Sequence, residues 1–153
     1  MRFLLKEAVV NGSCDVLIVE DSGLQCIEMA GFLQRAGLTV ESAADAATGL
    51  KQARLLRPTV VLLDYNLPDM NGVLLAEQVR NILPNAALIM MSGRIDGLSE
   101  DTLKDLGISV FLNKPVPLGP LRQAVVKLVQ EGGRRRAADT PSWINTGLGG
   151  TRR

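Results

Sequence analysis

Charged side chains stand at the ends of several short apolar runs of the chain. The acids Glu20 and Asp21 follow the first run, Asp64 follows the third, and Lys114 follows the last. These runs predict buried strands of one parallel sheet, and the carboxyl ends of such strands share the edge where open α/β sheets bind ligands. Two unit charges about 4 Å apart repel by roughly 4 kcal/mol at an effective dielectric of 20. We therefore expect the Lys114 ammonium and a hard divalent cation, Mg²⁺, to balance the three acids.

Asp64 is the candidate nucleophile of this edge. It ends the central predicted strand and begins a turn-rich loop that reaches Gly72. Carboxylates in proteins can attack phosphoryl groups and form aspartyl-phosphates. Such a transfer depends mainly on positioning and on positive charge at the transferred oxygens, which a metal ion and Lys114 would supply. Ser92, at the end of the fourth run, adds a hydroxyl that can donate to a phosphoryl oxygen.

Short apolar runs alternate along the chain with amphipathic segments of helix length. This alternation predicts an α/β domain in which helices cover both faces of a parallel sheet. The five predicted strands are Asp15–Glu20, Thr39–Ala43, Thr59–Leu63, Ala86–Met91 and Ser109–Leu112. The five predicted helices are Gly23–Ala36, Asp45–Leu56, Gly72–Leu83, Ser99–Leu106 and Leu118–Gln130. The fourth helix is bracketed by glycines and has few apolar anchors, so we expect it to be mobile.

Length and composition predict one domain with two tails. The chain has 153 residues, of which 46% are hydrophobic and 22% are charged. We assign residues 1–13 to an N-terminal extension, residues 14–131 to the domain and residues 132–153 to a flexible basic tail. No apolar stretch approaches the roughly 20 residues of a membrane helix, so we expect a cytoplasmic protein without a membrane partner.

The charge distribution bears on the partners of the protein. Five arginines and one aspartate give residues 132–153 a net charge of +4, which leaves −3 for residues 1–131. A mildly acidic domain lacks the clustered basic residues that a nucleic-acid surface needs, so we do not expect it to bind nucleic acid. The arginines at 134–136 predict either a solvated linker or a contact for an acidic partner or nucleic acid. Cys14 and Cys26 have no metal-ligand spacing and are predicted to be thiols that are either buried or without a function.

Taken together, these motifs resemble those of the receiver domains of two-component response regulators. The resemblance covers residues 14–130. The motifs that carry it are the acid pair Glu20-Asp21, Asp64 with Leu67-Pro68 and Met70-x-Gly72 after it, Ser92 before a small residue, and Lys114-Pro115. The resemblance implies a flavodoxin-like, doubly wound five-stranded parallel sheet of order 2-1-3-4-5 with five helices.

The resemblance also implies roles for the acidic residues. Asp64 would be the phosphoacceptor, and Asp21 and Asp64 would bind Mg²⁺ together with the backbone carbonyl of Asn66. Glu20 would contribute to the metal through water, although Glu replaces the Asp that is commoner at this position of the family. The Asn66 side chain has two interpretations: it favours a turn, or it meets the water that hydrolyses the phosphoaspartate.

Three further residues would sense the phosphoryl group. Lys114 and Ser92 would bind it, and Ser92 and Phe111 would act as switch residues. Phe111 stands where the family often has Tyr, so ring rotation is retained and a hydroxyl is lost. The alternatives are that Phe111 is ordinary core and that Ser92 caps a turn. The family commonly has a cis peptide bond at the position of Lys114–Pro115.

The function implied by the resemblance is a signalling switch that catalyses only its own phosphoryl transfer and dephosphorylation. Because the chain has no histidine, the donor would be a sensor histidine kinase or a phosphotransfer protein. Since 22 residues follow the predicted domain, too few for a DNA-binding domain, we expect output by binding. An output protein would bind the face formed by the fourth helix, the last strand and the last helix. A second copy of the chain is a further candidate partner.

Two other functions are kept as alternatives. The chain could be the receiver part of a larger regulator or hybrid kinase. It could also be an aspartate-dependent phosphohydrolase, but those enzymes carry a second Asp two residues after the nucleophile, where this chain has Asn66. The phosphate-binding patterns GxGxxG and GxxxxGK[ST] do not occur, which disfavours a nucleotide-binding protein.

Overall fold

The apolar runs form a parallel sheet in the structure, a computed structural model that describes residues 14–93 and 98–133. Its strands are β1 (Val16–Val19), β2 (Val40–Ala43), β3 (Val60–Asp64), β4 (Ala87–Ser92) and β5 (Ile108–Asn113). They pair in the order β2-β1-β3-β4-β5, and every pair is parallel. The predicted five-stranded sheet and its order are confirmed.

The intervening segments form the predicted helices. They are α1 (Gly23–Gln34), α2 (Ala46–Leu56), α3 (Gly72–Ile82), α4 (Glu100–Asp105) and α5 (Leu118–Gln130). The first four begin at a residue whose side chain accepts a backbone N–H three positions later, namely Ser22, Asp45, Asn71 and Ser99. These caps satisfy amide groups that have no partner inside the helix. Gly37 and Gly107, which follow α1 and α4, have positive φ angles of 91° and 78°, as expected for helix-ending glycines.

Helices on both faces of the sheet explain why its strands are apolar without alternation. Val16 and Ile18 face an apolar cluster with α1 and α5, whereas Leu17 and Val19 face a second cluster with α2, α3 and α4. Every residue of β1, β3 and β4 is buried. Residues that follow these strands are therefore held at the carboxyl edge by a closely packed core.

Most predicted element ends differ from the observed ends by one or two residues. The strands β3, β4 and β5 each extend one polar residue beyond the predicted carboxyl end, to Asp64, Ser92 and Asn113. Main-chain pairing continues through them, because Asp64 pairs with Met91 and Ser92 pairs with Asn113. Asp64 and Ser92 thus belong to the sheet itself, which makes their positions more rigid than those of loop residues.

The predicted extension of residues 1–13, the arginines at 134–136 and the glycine at 97 before α4 lie outside the described residues. The described chain ends at Gly133, which is buried and whose N–H donates to the Leu128 carbonyl at 2.8 Å. A Cβ at Gly133 would lie 2.7 Å from the Asn85 carbonyl oxygen, so only glycine fits here without a shift. Within residues 14–93 and 98–133, no helix has the length and apolar character that a membrane span requires.

Candidate functional site

The three acids predicted at the strand ends lie together. Val19 pairs with Leu63, so Glu20 and Asp64, the next residue of each chain segment, stand side by side. Glu20 and Asp64 are only 2% and 3% exposed, while Asp21 is exposed. Oxygen atoms of the three carboxylates lie within 4.8 Å of one another. The sheet therefore builds a compact acidic cluster with one open side.

Lys114 reaches this cluster from the end of β5. Its Nζ donates to Glu20 Oε1 at 2.8 Å and to Asp64 Oδ2 at 2.9 Å. The backbone N–H of Lys114 donates to the Ser92 carbonyl at 2.9 Å, and the peptide bond to Pro115 is cis. Burial lowers the pKa of Lys114, but the hydrogen bonds to the two carboxylates outweigh burial and raise the pKa above its ordinary value. The side chain is thus an ammonium ion at neutral pH.

Glu20 is the acid most removed from water. Burial raises the pKa of its carboxyl group, while hydrogen bonds from Lys114 and from the backbone N–H of Ser22 oppose that rise. The Ser22 bond, 3.0 Å to Oε2, leaves Oε1 for the lysine. Both oxygens of Glu20 are therefore engaged, and they fix the position of the Lys114 ammonium beside Asp64.

Both oxygens of Asp64 are also engaged. Oδ2 accepts from Lys114, and Oδ1 accepts the backbone N–H of Asn66 at 3.0 Å. The loop after Asp64 is closed by a hydrogen bond of 2.6 Å from Gly72 N–H to the Tyr65 carbonyl. A Cβ at Gly72 would lie 2.6 Å from the Cα of Tyr65, so a larger residue would displace this loop.

Ser92 and Phe111 occupy the neighbouring strands. Ser92 is fully buried at the end of β4, one residue beyond the partner of Asp64. Phe111 is 3% exposed and belongs to the same apolar cluster as Leu103 and Leu106. Both the core interpretation and the switch interpretation of Phe111 predict this burial.

The donor set suits a magnesium ion. Carboxylate oxygens are the ligands that hard divalent cations prefer. The oxygens of Glu20, Asp21 and Asp64 lie within 4.8 Å of one another, close enough to bind one ion together. With all groups ionised, three acids and Lys114 leave a formal charge of −2, which a divalent cation would cancel. Asn66, whose carbonyl the resemblance adds to this set, lies in the adjoining loop and is exposed.

Asp69 contacts a neighbouring element but was not predicted from the sequence as a site residue. It lies in the loop after Asp64, and its two carboxylate oxygens accept the N–H groups of Ala46 and Ala47. In the sequence, Pro68-Asp69 indicates only a turn. Its partners lie 22 and 23 residues away, so the contact becomes apparent only when the strands are placed side by side.

The chain matches one protein family over most of its length. Residues 16–126 match the family model of the response regulator receiver domain. Protein-glutamate methylesterase/protein-glutamine glutaminase of Archaeoglobus fulgidus is 31% identical over 122 residues, which cover 75% of this chain and 35% of that relative. The TorCAD operon transcriptional regulatory protein TorR of Escherichia coli O157:H7 is 30% identical over 114 residues, 74% of this chain and 47% of the relative.

A third relative is the hybrid signal transduction histidine kinase L of Dictyostelium discoideum, 28% identical over 127 residues that cover 76% of this chain and 7% of the kinase. The chain thus spans less than half the length of each of these three relatives. Among solved structures, a CheY-like response regulator receiver domain protein of Methanospirillum hungatei is similar, with a TM-score of 0.73, 27% identity, and coverage of 78% of this chain and 95% of the other. Chemotaxis protein CheY4 of Vibrio cholerae has a TM-score of 0.68 and 28% identity, and the match covers 74% of this chain and 97% of CheY4.

Proposed function

The chain belongs to the response regulator receiver domain family, and from that premise we propose that Asp64 accepts a phosphoryl group from a sensor histidine kinase or a phosphotransfer protein. The observation that carries this proposal is the buried Asp64 carboxylate, bound by Lys114 at 2.9 Å and adjoined by two further acids. Receiver domains of this family are signalling switches. We propose that phosphorylation of Asp64 sets the state of this switch and thereby changes partner binding.

The residues divide the chemistry between them. An Asp64 oxygen forms the new bond to phosphorus, and the bond from phosphorus to the donor's imidazole nitrogen breaks, with its electron pair left on nitrogen. Lys114 keeps its proton and moves its hydrogen bond from Asp64 to a phosphoryl oxygen, where negative charge remains after transfer. The Ser92 hydroxyl donates to another phosphoryl oxygen.

The acids next to Asp64 supply the metal site of this proposal. Asp21 and Asp64 would hold Mg²⁺ with the Asn66 carbonyl, and Glu20 would act through water. When bound, Mg²⁺ supplies positive charge to the transferred oxygens. Glu20 has a second task that the hydrogen bonds support, since it fixes the Lys114 ammonium beside the acceptor.

Replacement of the acceptor tests the proposal. With Mg²⁺ and a small phosphodonor, intact-mass measurement of the wild-type protein should show one added phosphoryl group, and Asp64→Asn should show none. Asp105→Asn, which changes an exposed acid of α4, is the matched control and should be labelled like the wild type. A persistent label on Asp64→Asn would refute the assignment of Asp64.

We propose that the phosphoryl group acts on the face formed by α4, β5 and α5. Ser92 precedes the segment that leads to α4, and Lys114 follows β5, which also carries Phe111. A change from 1:99 to 99:1 between two states needs roughly 5.5 kcal/mol. A few charge-assisted hydrogen bonds of about 1.5 to 3 kcal/mol each supply this amount.

NMR spectra with a phosphoryl mimic test this output face. Upon addition of beryllium fluoride and Mg²⁺, shift changes should extend from Asp64 through Ser92 to Leu106 and Phe111. Asp64→Asn should show none of these changes and is the control. Changes confined to the loops around Asp64 would instead indicate a phosphate relay or sink without a switched surface.

The remaining proposals concern the extent of the protein and its chemistry. We propose residues 14–131 as the receiver domain, with an output protein or a second copy of the chain as its partner. The alternative of a receiver within a larger regulator or hybrid kinase is consistent with the alignments to longer relatives. We propose no turnover beyond phosphorylation and dephosphorylation of Asp64. Steady hydrolysis of a small phosphoester by the pure protein would favour the phosphohydrolase alternative.

A further inference from the structure

Asp69 binds the first turn of a neighbouring helix. Its Oδ1 accepts the Ala46 N–H at 2.9 Å, and its Oδ2 accepts the Ala47 N–H at 3.0 Å. Ala46 and Ala47 are the first two residues of α2. The two hydrogen bonds lower the pKa of Asp69, so the side chain is a carboxylate at neutral pH.

The start of α2 also has a cap from its own loop. Asp45 precedes the helix, and its Oδ1 accepts the Thr48 N–H at 2.7 Å. One such residue is what a helix start ordinarily requires. The hydrogen bonds to Asp69 therefore do more than begin a helix, because they join the loop that contains Asp69 to a helix that is 22 and 23 residues away in sequence.

Asp69 lies in the loop that follows the proposed phosphoacceptor, which we call the acceptor loop (residues 65–71). Asn66 and Asn71 pair across this loop in an antiparallel bridge. At its start, the Asn66 N–H donates to Asp64 Oδ1 at 3.0 Å. The loop thus orients the Asp64 carboxylate, and Asp69 holds the exposed far side of the loop against α2.

We propose that Asp69 is a positioning residue for phosphoryl transfer: its bonds to α2 hold the acceptor loop, and through Asn66 the Asp64 carboxylate, in the orientation that the transfer needs. This inference rests on the proposed function of Asp64. A misplacement of about 1 Å caused by a change outside the reacting groups can reduce a rate by roughly 10²-fold. Loss of Asp69 should therefore slow phosphorylation although Asp69 touches no reacting atom.

The structure offers a matched control, because two carboxylates cap one helix from different loops. Asp69→Ala and Asp45→Ala both remove acceptors from the first turn of α2, and both should lower thermal stability. Only Asp69→Ala should change the NMR shift of the Asn66 N–H in protein without Mg²⁺ or phosphodonor. Asp45→Ala leaves the acceptor loop attached and should leave that shift unchanged.

Phosphorylation rates provide the second measurement. The rates are measured with Mg²⁺ and a small phosphodonor at several concentrations. Asp69→Ala should lower the maximal rate constant about tenfold and leave the half-saturating donor concentration unchanged. Asp45→Ala should stay within about twofold of the wild type. Asp69→Asn keeps one acceptor oxygen and should lie between Asp69→Ala and the wild type.

Equal effects of Asp69→Ala and Asp45→Ala on the Asn66 shift and on the rate would overturn the inference and leave Asp69 as a helix cap only. If Asp69→Ala does not fold, the same comparison is made between Asp69→Asn and Asp45→Asn. Wild-type protein that takes no label at Asp64 would overturn the proposed function instead. The Asn66 shift needs no donor, so it separates failure of the loop attachment from failure of the proposed function.

Discussion

The two edges of the sheet hold opposite kinds of polar cluster. At the carboxyl edge, Glu20, Asp21 and Asp64 gather around the Lys114 ammonium. At the amino edge, the Arg80 guanidinium donates to four backbone carbonyls, with distances between 2.6 and 3.2 Å. Those carbonyls belong to Leu83, Pro84, Ala86 and Gly107.

The difference in charge suggests that the two edges respond differently to an added ion or phosphoryl group. Around Arg80, one cation binds backbone carbonyls of the α3–β4 and α4–β5 connections, so the cluster joins these two turns. Around Lys114, the acids outnumber the ammonium, so an added cation or phosphoryl group changes the balance of charge. We infer that the amino edge stays fixed while the carboxyl edge changes its contacts.

The largest effect should come from breaking the fixed edge. Arg80→Ala removes the charge-assisted hydrogen bonds to the part-buried carbonyls of Leu83, Ala86 and Gly107. At about 1 kcal/mol each, we expect a loss of about 3 kcal/mol in the free energy of unfolding. Urea denaturation measures it. Arg122→Ala is the control, because Arg122 lies over the Phe32 ring at 5.4 Å on the exposed α5 surface and should cost only about 0.5 to 1 kcal/mol. Similar losses for both variants would contradict the special role of the Arg80 cluster.

A substitution at the carboxyl edge should lower the free energy of unfolding by a smaller amount, and the loss should depend on Mg²⁺. Lys114→Met leaves Glu20 and Asp64 buried without their cation. In the absence of Mg²⁺ we expect a loss of about 2 kcal/mol in the free energy of unfolding. This loss is smaller than for a fully buried ion pair, because the Lys114 side chain is 18% exposed. Mg²⁺ should restore most of this loss, since an ion that binds the folded cluster would stabilise it by mass action. Thermal unfolding with and without Mg²⁺ measures both effects.

The acids provide the controls for this metal effect. Asp21→Ala removes a proposed direct ligand and should abolish most of the stabilisation by Mg²⁺. Glu20→Gln removes a proposed water-mediated contact and should reduce it much less. Equal Mg²⁺ affinities of Asp21→Ala and Glu20→Gln would contradict the proposed ligand set, and stabilisation by Mg²⁺ in Asp64→Asn equal to wild type would argue against a site at this edge.

Sequence patterns predicted the carboxyl edge better than the amino edge. Asp64 follows an apolar run that is long enough to be a buried strand, and the topology of parallel sheets then brings it beside Glu20. Arg80, in contrast, appears in the sequence as one polar position of an amphipathic helix. Its partners include Gly107, 27 residues away, and no local pattern records which carbonyls a long side chain will reach.

Local pairing rules also explain the errors at element ends. The hydropathy pattern predicted that β4 ends before Ser92 and that β5 ends before Asn113. These two polar residues instead continue the main-chain pairing, because each is the other's partner. Strand pairing depends on backbone groups that every residue carries, so a polar side chain does not end a strand. The attachment of Asp69 to α2 was missed for a related reason, since its partners are backbone amides.

The smallest expected effect on stability concerns Cys14, which lies two residues before β1 at the amino edge. Its thiol is buried and donates to the Val16 carbonyl at 3.3 Å. Burial, followed by the nearby charge of Glu41, raises the pKa of Cys14 to about 11 from an ordinary value of 9.0. Because the folded protein holds the neutral thiol, this stabilisation is complete below pH 9 and is lost as the pH rises through about 11.

At pH 10 the wild-type protein should therefore have lost about 1 kcal/mol of unfolding free energy through this group. Cys14→Ala cannot ionise there, and it retains the free Cys26, so the difference in stability between the two proteins should change by that amount between pH 8 and pH 10. Urea denaturation of both at the two pH values measures the change. Parallel pH profiles would mean that the amino edge accepts a new negative charge at no cost, which would contradict the inference that this edge stays fixed while the carboxyl edge responds to added charge.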